Sequence, residues 1–330
     1  MLSHRRWCPA EIISQSGADL LRLWAASADY HADVRCSKAI FSQLSQNYLK
    51  FRNTCKFMLD NLVDFDPAKL VGASEMLELD RWLVTKLNEL IEKVEQAYKD
   101  YEFHIITHSV NDFCVSTLSS FYLDIVKDRL YCDGADSLSR RSAQSALYLT
   151  LDTLAKLFAP ILCFTCDEIW LAMPHREGDD VRNVVFNDMN KPFADYNIGD
   201  TVSWASLALL RDGVNAALEA ARAEKKIGKA LEAHVVLVKD TSYPNDNLQS
   251  LEEQFADKWA DLFIVSDVEV STDAALYAEG SDTAIAGVRV LVSEAKGVKC
   301  PRCWKHSVNA DAEGHCPRCA EVLKNLPELA

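Results

Sequence analysis

Cys300, Cys303, Cys316 and Cys319 stand near the end of a 330-residue chain in the pattern C-x2-C-x12-C-x2-C. Each pair can bite a metal ion from one tight turn, and the polar loop between them closes the second half of a tetrahedron. Four thiolates suit Zn2+ and leave no coordination position open, so the spacing predicts one structural zinc and no metal-centred catalysis. The tail, residues 296–330, is too short to build a core alone, and metal would supply its folding energy. A redox dithiol is the other chemistry open to such pairs. His306 and His315 flank the ligands, but four cysteines complete the set. Four thiolates and one Zn2+ add about −2 of charge to the formal +2 of residues 296–330. The knot is therefore no strong cationic patch, and any grip on RNA would come from placed groups: Arg302, Lys305, Arg318 and Trp304. Two readings of Trp304 stand side by side: it stacks on an unpaired base, worth about 1–3 kcal/mol, or it packs the knot onto a neighbouring domain.

Other residues could do chemistry, each with a plainer reading. Cys163 and Cys166 in "APILCFTCDEIW" repeat the C-x-x-C spacing, yet they lie in an apolar helical pattern with no second pair nearby, so they read as small buried residues. His104 and His108 are spaced i, i+4 without the acidic motif of a metalloprotease and read as core histidines. "FYLDIVKDRLY" interleaves aromatics with Lys127 and Arg129, which reads either as a phosphate- and base-meeting face or as a solvated one. "RAEKKIGKALEA" gathers Arg222, Lys225, Lys226 and Lys229 in an otherwise acidic region; a cationic helix end explains it as well as a partner does. The eleven glycines are dispersed, with no phosphate-cradling loop, no G-x-S-x-G and no compact acid/base pair. From the residues alone, no catalytic centre is visible.

The elements that must carry these groups are mostly helical. Apolar residues recur at helical spacing through "GADLLRLWAASADY", "SKAIFSQLSQNYLKFRNTCKFMLDNL" with Ser37 as its N-cap, "EMLELDRWLVTKLNELIEKVEQAYKDYEF", "HIITHSVNDFCVSTLSSFYLDIVKDRLYC" and "LSRRSAQSALYLTLDTLAKLFAPIL". Long helices joined by short polar turns predict an antiparallel helical bundle. A long irregular stretch follows Pro174. Then come a helix from Val202 to about Lys225 and three β-branched runs, "EAHVVLVKD", "LFIVSDVEV" and "GVRVLVSEA", with helix "LQSLEEQFADKWA" between the first two. The expected fold is mainly α: an antiparallel bundle, then a small α/β segment and a C-terminal zinc knot. The expected divisions are 1–36, 37–200, 201–295 and 296–330.

Net charge is −14, concentrated as −9 in residues 68–200 and −8 in 201–295, with the ends at +1 and +2. That argues against coating nucleic acid through bulk charge. No apolar run approaches the roughly 18 residues a membrane helix needs, the opening "MLSHRRWCPAEII" has no secretory h-region, and eleven cysteines without a disulfide framework read as a reducing cytoplasm.

Taken together, these stretches resemble the C-terminal part of bacterial isoleucyl-tRNA synthetase. "GADLLRLWAASADYHADVRCS" is similar to the segment that follows that family's catalytic domain. "KFRNTCKFMLDNLVDFDP", "LDRWLVTKLNELIEKVEQAYKDYEFH", "LSSFYLDIVKDRLYCDGADSLSRRSAQSALY" and "APILCFTCDEIW" are similar to its anticodon-binding bundle. "ARAEKKIGKALEAHVVL" resembles the junction after it, and "KCPRCWKH…HCPRC" the terminal zinc module. The resemblance implies a class I enzyme that activates isoleucine with ATP and charges its tRNA, with this portion holding the tRNA. It implies zinc on Cys300, Cys303, Cys316 and Cys319, and tRNA contact at Arg52, Asn53, Lys127, Arg129, Arg302 and Trp304. The family's HIGH and KMSKS signatures are absent, so the catalytic and editing domains are expected before Met1. The chain is then expected to bind isoleucine-accepting tRNA without charging it alone, with a separate catalytic half as a further partner. A free-standing tRNA-binding or interaction module is the competing expectation.

Overall fold

The computed structural model describes residues 9–200, 202–243 and 246–325; the opening "MLSHRRWC" lies outside them. The chain folds as two compact units. The first holds the described residues to Val126 together with 135–198, and the second holds 127–134 and the described residues from Gly199 on.

The first unit is helical: α1 (Pro9–Ser16), α2 (Ala18–Ser27), α3 (Lys38–Asp60), α4 (Glu78–Lys99), α5 (Phe103–Asp112), a π-helical stretch (Phe113–Tyr122), the start of α6 (Leu123–Cys132), α7 (Leu138–Phe158) and α8 (Cys163–Ala172). Local chemistry sets the ends. Ser37 accepts the Ile40 N–H (3.3 Å) and Ser137 the Arg140 N–H (3.2 Å), each satisfying an orphan donor of a helix start. α7 is buried on every face from Ser142 to Phe158, so it forms the centre of this unit. Fully burying one of its Leu or Phe side chains is worth about 1.5–3 kcal/mol.

Burial on every face forces the polar residues of α7 to find partners. Ser142 donates to Asp80 (2.5 Å), which also accepts from the Tyr122 hydroxyl (2.6 Å). Gln144 donates to the Asn61 carbonyl (2.8 Å), and Ser145 accepts the Val71 N–H (3.0 Å). Asp152 meets Lys156 at 2.8 Å and Arg176 at 2.7 Å. Asn190 also donates to Asp152 (2.7 Å), and Asn88 donates to the Phe193 carbonyl (3.1 Å). The irregular stretch expected after Pro174 is observed, and these bonds fix it.

One departure concerns the helix read as continuous from His104 to Cys132. Its middle is π-helical: Ser119 donates to the Cys114 carbonyl and Ser120 to that of Val115, both at 2.8 Å. Both hydroxyls reach the carbonyl five residues back, the same spacing at which a π-helical turn pairs N–H with C=O.

The second unit begins with the end of α6. It continues through α9 (Val202–Ala223), β1 (Ala233–Lys239), α10 (Asp246–Phe255), α11 (Trp259–Leu262), β2 (Asp267–Ser271), α12 (Ala274–Glu279), β3 (Ser281–Asp282), β4 (Val288–Glu294), β5 (Val298–Lys299), β6 (His306–Ser307) and α13 (Pro317–Lys324). The sheet order is β2-β1-β4-β3. β1 runs parallel to β2, as a helical crossover through α10 and α11 requires, and antiparallel to β4, with His234 opposite both Asp267 and Ser293. α9 packs against β4 and α10 and buries Trp204, Leu207, Leu210, Val214 and Leu218 at helical spacing, with Trp204 edge-on to Phe255 of α10 (4.9 Å). The run "LFIVSDVEV" is strand only from Asp267: Leu262 ends a helix, and Ile264 takes a left-handed φ of 58° that breaks the extended run.

β5 and β6 form a short hairpin that opens the tail. Gly297 (φ 99°) precedes it, and a Cβ there would lie 2.3 Å from the Ser307 carbonyl carbon. Only glycine permits so close a backbone approach at that φ.

Candidate metal centre and nucleic-acid surface

The first cysteine pair sits at the turn of the β5–β6 hairpin. Cys300 N–H donates to the Lys305 carbonyl and Trp304 N–H to the Cys300 carbonyl, both at 2.9 Å. The second pair opens α13, with Cys316 as N-cap, Pro317 in the first turn and Cys319 on the helix. Between them, Asp311 accepts the N–H groups of Glu313 (3.1 Å) and His315 (2.7 Å), which shapes the loop.

The four Sγ atoms all lie within 4.8 Å of one another. Cys303 and Cys316 are 3.7 Å apart, Cys300, Cys303 and Cys319 are buried, and Cys316 is half-buried. Charge makes the cluster ask for a cation. Burial, then the neighbouring sulfurs, push the Cys303 thiol far above its ordinary value. At Cys300 burial also pushes up, but the backbone N–H groups of Cys303, Cys316 and Arg302 win and draw the thiol down to about 6. The group could hold a metal ion in a closed set of four sulfurs, which provides a fold and no reacting position.

Both pairs read Cys-Pro-Arg-Cys, and both arginines turn onto the end of α6. Arg302 donates to the Cys132 carbonyl, to the Tyr131 carbonyl (3.5 Å) and to Cys319 Sγ (3.7 Å). Arg318 forks onto Asp128 (2.5 and 2.8 Å) and reaches Asp133 (3.3 Å). Burial alone would raise the Asp128 carboxyl, but the Arg318 fork outweighs it and holds the group below its ordinary value. Lys305 pairs with Asp261. Three tail cations read as RNA-facing thus have protein partners.

Trp304 faces outward. It is 53% exposed, with a left-handed φ of 67°, and the Lys229 ammonium lies 5.1 Å from its ring centroid. A non-glycine residue held at positive φ is strained, and such strain persists where the surroundings over-determine it. Lys225, also at positive φ (60°), and Lys226 are exposed in the same turn as Lys229. Lys229 and Trp304, 75 positions apart, therefore share one surface, while Arg222 and Lys226 pair with Glu219 and Glu224. Lys127 is exposed on α6, while Arg129 is half-buried there. Arg52 and Asn53 are exposed on α3, in the first unit. Cys166 is buried in α8 with its thiol raised by burial, while the half-buried Cys163 lies 3.9 Å from Asp19. His104 sits on α5, 3.3 Å from Glu102.

Sequence reasoning passed over Cys132, Asp128 and Asp133 as parts of the tail. They precede it by more than 160 residues, and nothing local marks them. The repeated CPRC was the one available signal.

A family model described as the anticodon-binding domain of tRNA ligase matches residues 80–237. The isoleucine–tRNA ligase of Syntrophotalea carbinolica is 43% identical over 320 residues, covering 96% of this chain and 34% of that one. That of Moorella thermoacetica is 43% identical over 330 residues and that of Geobacillus thermodenitrificans 44% over 323, with the same shares covered. The chain spans about a third of the length of these relatives. Among the described residues no helix is long and apolar enough to cross a membrane.

Proposed function

We propose that this chain, which carries the anticodon-binding domain of the tRNA ligases and is homologous to isoleucine–tRNA ligases along nearly all its length, is a tRNA-holding portion of such an enzyme. Activation of isoleucine with ATP and its transfer to tRNA are assigned to the part of the relatives that this chain does not span. The chain alone would bind isoleucine-accepting tRNA and not charge it. Its working divisions are the segment to residue 36, an antiparallel bundle over 37–200, an α/β linker over 201–295 and a zinc knot over 296–330.

The metal is zinc. Bonds of about 2.3 Å from Zn2+ to sulfur place tetrahedral neighbours about 3.8 Å apart, and Cys303 and Cys316 stand at 3.7 Å. When bound, zinc supplies fold and charge neutralisation, and no step of the reaction.

The observation that carries the reading is the Lys229–Trp304 surface. A half-exposed indole with the Lys229 ammonium over one face of its ring pairs a stacking group with a counter-charge, the two things an unpaired base and its phosphate need. Lys127 and Arg129 add charge from α6, and Arg302 serves by holding the end of that helix. Arg52 and Asn53 supply a separate contact from α3.

The test is a titration of isoleucine tRNA against this chain at several salt concentrations, beside the same tRNA with its anticodon changed. Tighter binding of the unaltered tRNA, weakening steeply as salt rises, is expected. Equal binding of both, or none at low salt, would remove the proposal.

A further inference from the structure

We infer that residues 127–134 are part of the metal centre, and that Arg302 and Arg318 are positioning residues that make metal loading and the order of this segment a single linked equilibrium. The inference rests on reading the four cysteines as a metal site.

The geometry is two-armed. Each arginine is the third residue of a Cys-Pro-Arg-Cys knuckle, so metal that fixes the cysteines also fixes both guanidinium groups. Arg302 reaches the carbonyls of Tyr131 and Cys132 at the C-terminal end of α6. Helix-end carbonyls have no intrahelical donor, and a cation there both bonds them and answers the helix dipole. Arg318 clamps Asp128 on the last turns of α6 and Asp133 just beyond them. The same segment reaches back into the knot. Cys132 is buried in one cluster with Cys300, Cys303 and Cys319, and its thiol lies 3.9 Å from the Arg302 carbonyl. Arg302 closes the circuit by also donating to Cys319 Sγ (3.7 Å). Losing a partner that orients a metal ligand typically costs about 10–100-fold in metal affinity.

Two consequences follow from reciprocity. Metal holds the α6 tail, and with it Lys127 and Arg129. In return, a change on α6 that touches no cysteine loosens the metal.

Hydrogen exchange on the full zinc-loaded chain, before and after stripping by a chelator, tests the first arm. Exchange in 127–134 should rise at least tenfold while α7 keeps its protection. Competition with a chromophoric chelator tests the second. Asp128→Asn should weaken zinc binding about tenfold, at the lower end of the effects of such orienting partners. Arg318→Lys, which keeps the charge but loses the fork, should do the same. In the double variant the second change should add little. The inference falls if Asp128→Asn, still binding one equivalent, holds zinc within twofold of the parent. It falls if stripping leaves 127–134 as protected as before, or opens α7 equally. A chain that takes up no zinc at all overturns the metal reading and this inference with it.

Discussion

The C-x-x-C spacing occurs in two regions with opposite outcomes. In α8 the pair is carried by one helix of an apolar core, where Cys166 is fully buried and its thiol is raised by burial, then by Asp19 and Cys163. In the tail each pair sits at a turn or a helix start, backbone N–H groups point at the sulfur, and a second pair lies within 4.8 Å. Sulfur in the first region is packing material; in the second it is a ligand set. Spacing brings two sulfurs together, and only their surroundings decide whether they keep their protons.

The largest effect should come from breaking the second region. Cys303→Ser should abolish the bound equivalent of zinc and the exchange protection of the tail, because structural zinc contributes about 10–16 kcal/mol in small zinc-built folds. The circular dichroism of the helical unit should change little; a mutant that retains metal and a protected tail would erase the contrast. Next comes the core of the first unit. Asp152→Ala takes the fully buried carboxylate from buried Lys156, leaving it Asn190 at 3.5 Å and Asp179 at 4.0 Å, and should cost about 3 kcal/mol in urea unfolding, with zinc content unchanged. Trp304→Ala should weaken tRNA binding by about 1–3 kcal/mol without lowering zinc content. Cys166→Ser should cost about 1–3 kcal/mol of stability by burying a hydroxyl without a partner and leave metal untouched. In thiol labelling near neutral pH, chelation should expose the tail cysteines, Cys300 first, while buried Cys55 and Cys114 stay unlabelled, since burial holds both well above the ordinary range.

The smallest effect concerns acid. The Arg140 fork, helped by Gln144, outweighs burial and brings Asp64 down to about 2. A carboxyl depressed in the folded state stabilises above its unfolded value of about 4, and that contribution fades as pH falls from there towards 2. The gap in melting temperature between the parent and Asp64→Asn should therefore close over that window. A gap unchanged down to pH 2 would assign Asp64 a role that does not depend on its charge.

Legibility in the sequence followed the distance over which information is written. The metal ligands lie within twenty residues, and the cap at Ser37 acts on Ile40; both are local and both were readable. The π-helical stretch was not, because its signal is two serines whose hydroxyls read equally well as solvated. The run from Leu262 to Val265 has strand composition, and a single left-handed residue, Ile264, denies it the conformation. The pairs Arg318–Asp128 and Lys229–Trp304 bridge 190 and 75 positions. Nothing in the local sequence assigns either charge its neighbour; the fold does. The tail cations Arg302, Arg318 and Lys305, read as groups placed for RNA, each have a protein partner that no local pattern announces.

The approach at Gly297 has a consequence for mutational tolerance. Any other side chain there must both accept a left-handed backbone and push its first carbon into the Ser307 carbonyl. The position admits an alphabet of one letter, as the four cysteines close after it do for a different reason. Val308, next to that contact and 73% exposed, is under no such constraint. Neutral drift through this tail should therefore be sharply uneven, frozen at Gly297 and free a few ångströms away, and a library randomised at both positions would recover folded, metal-holding variants diverse at Val308 and glycine alone at 297.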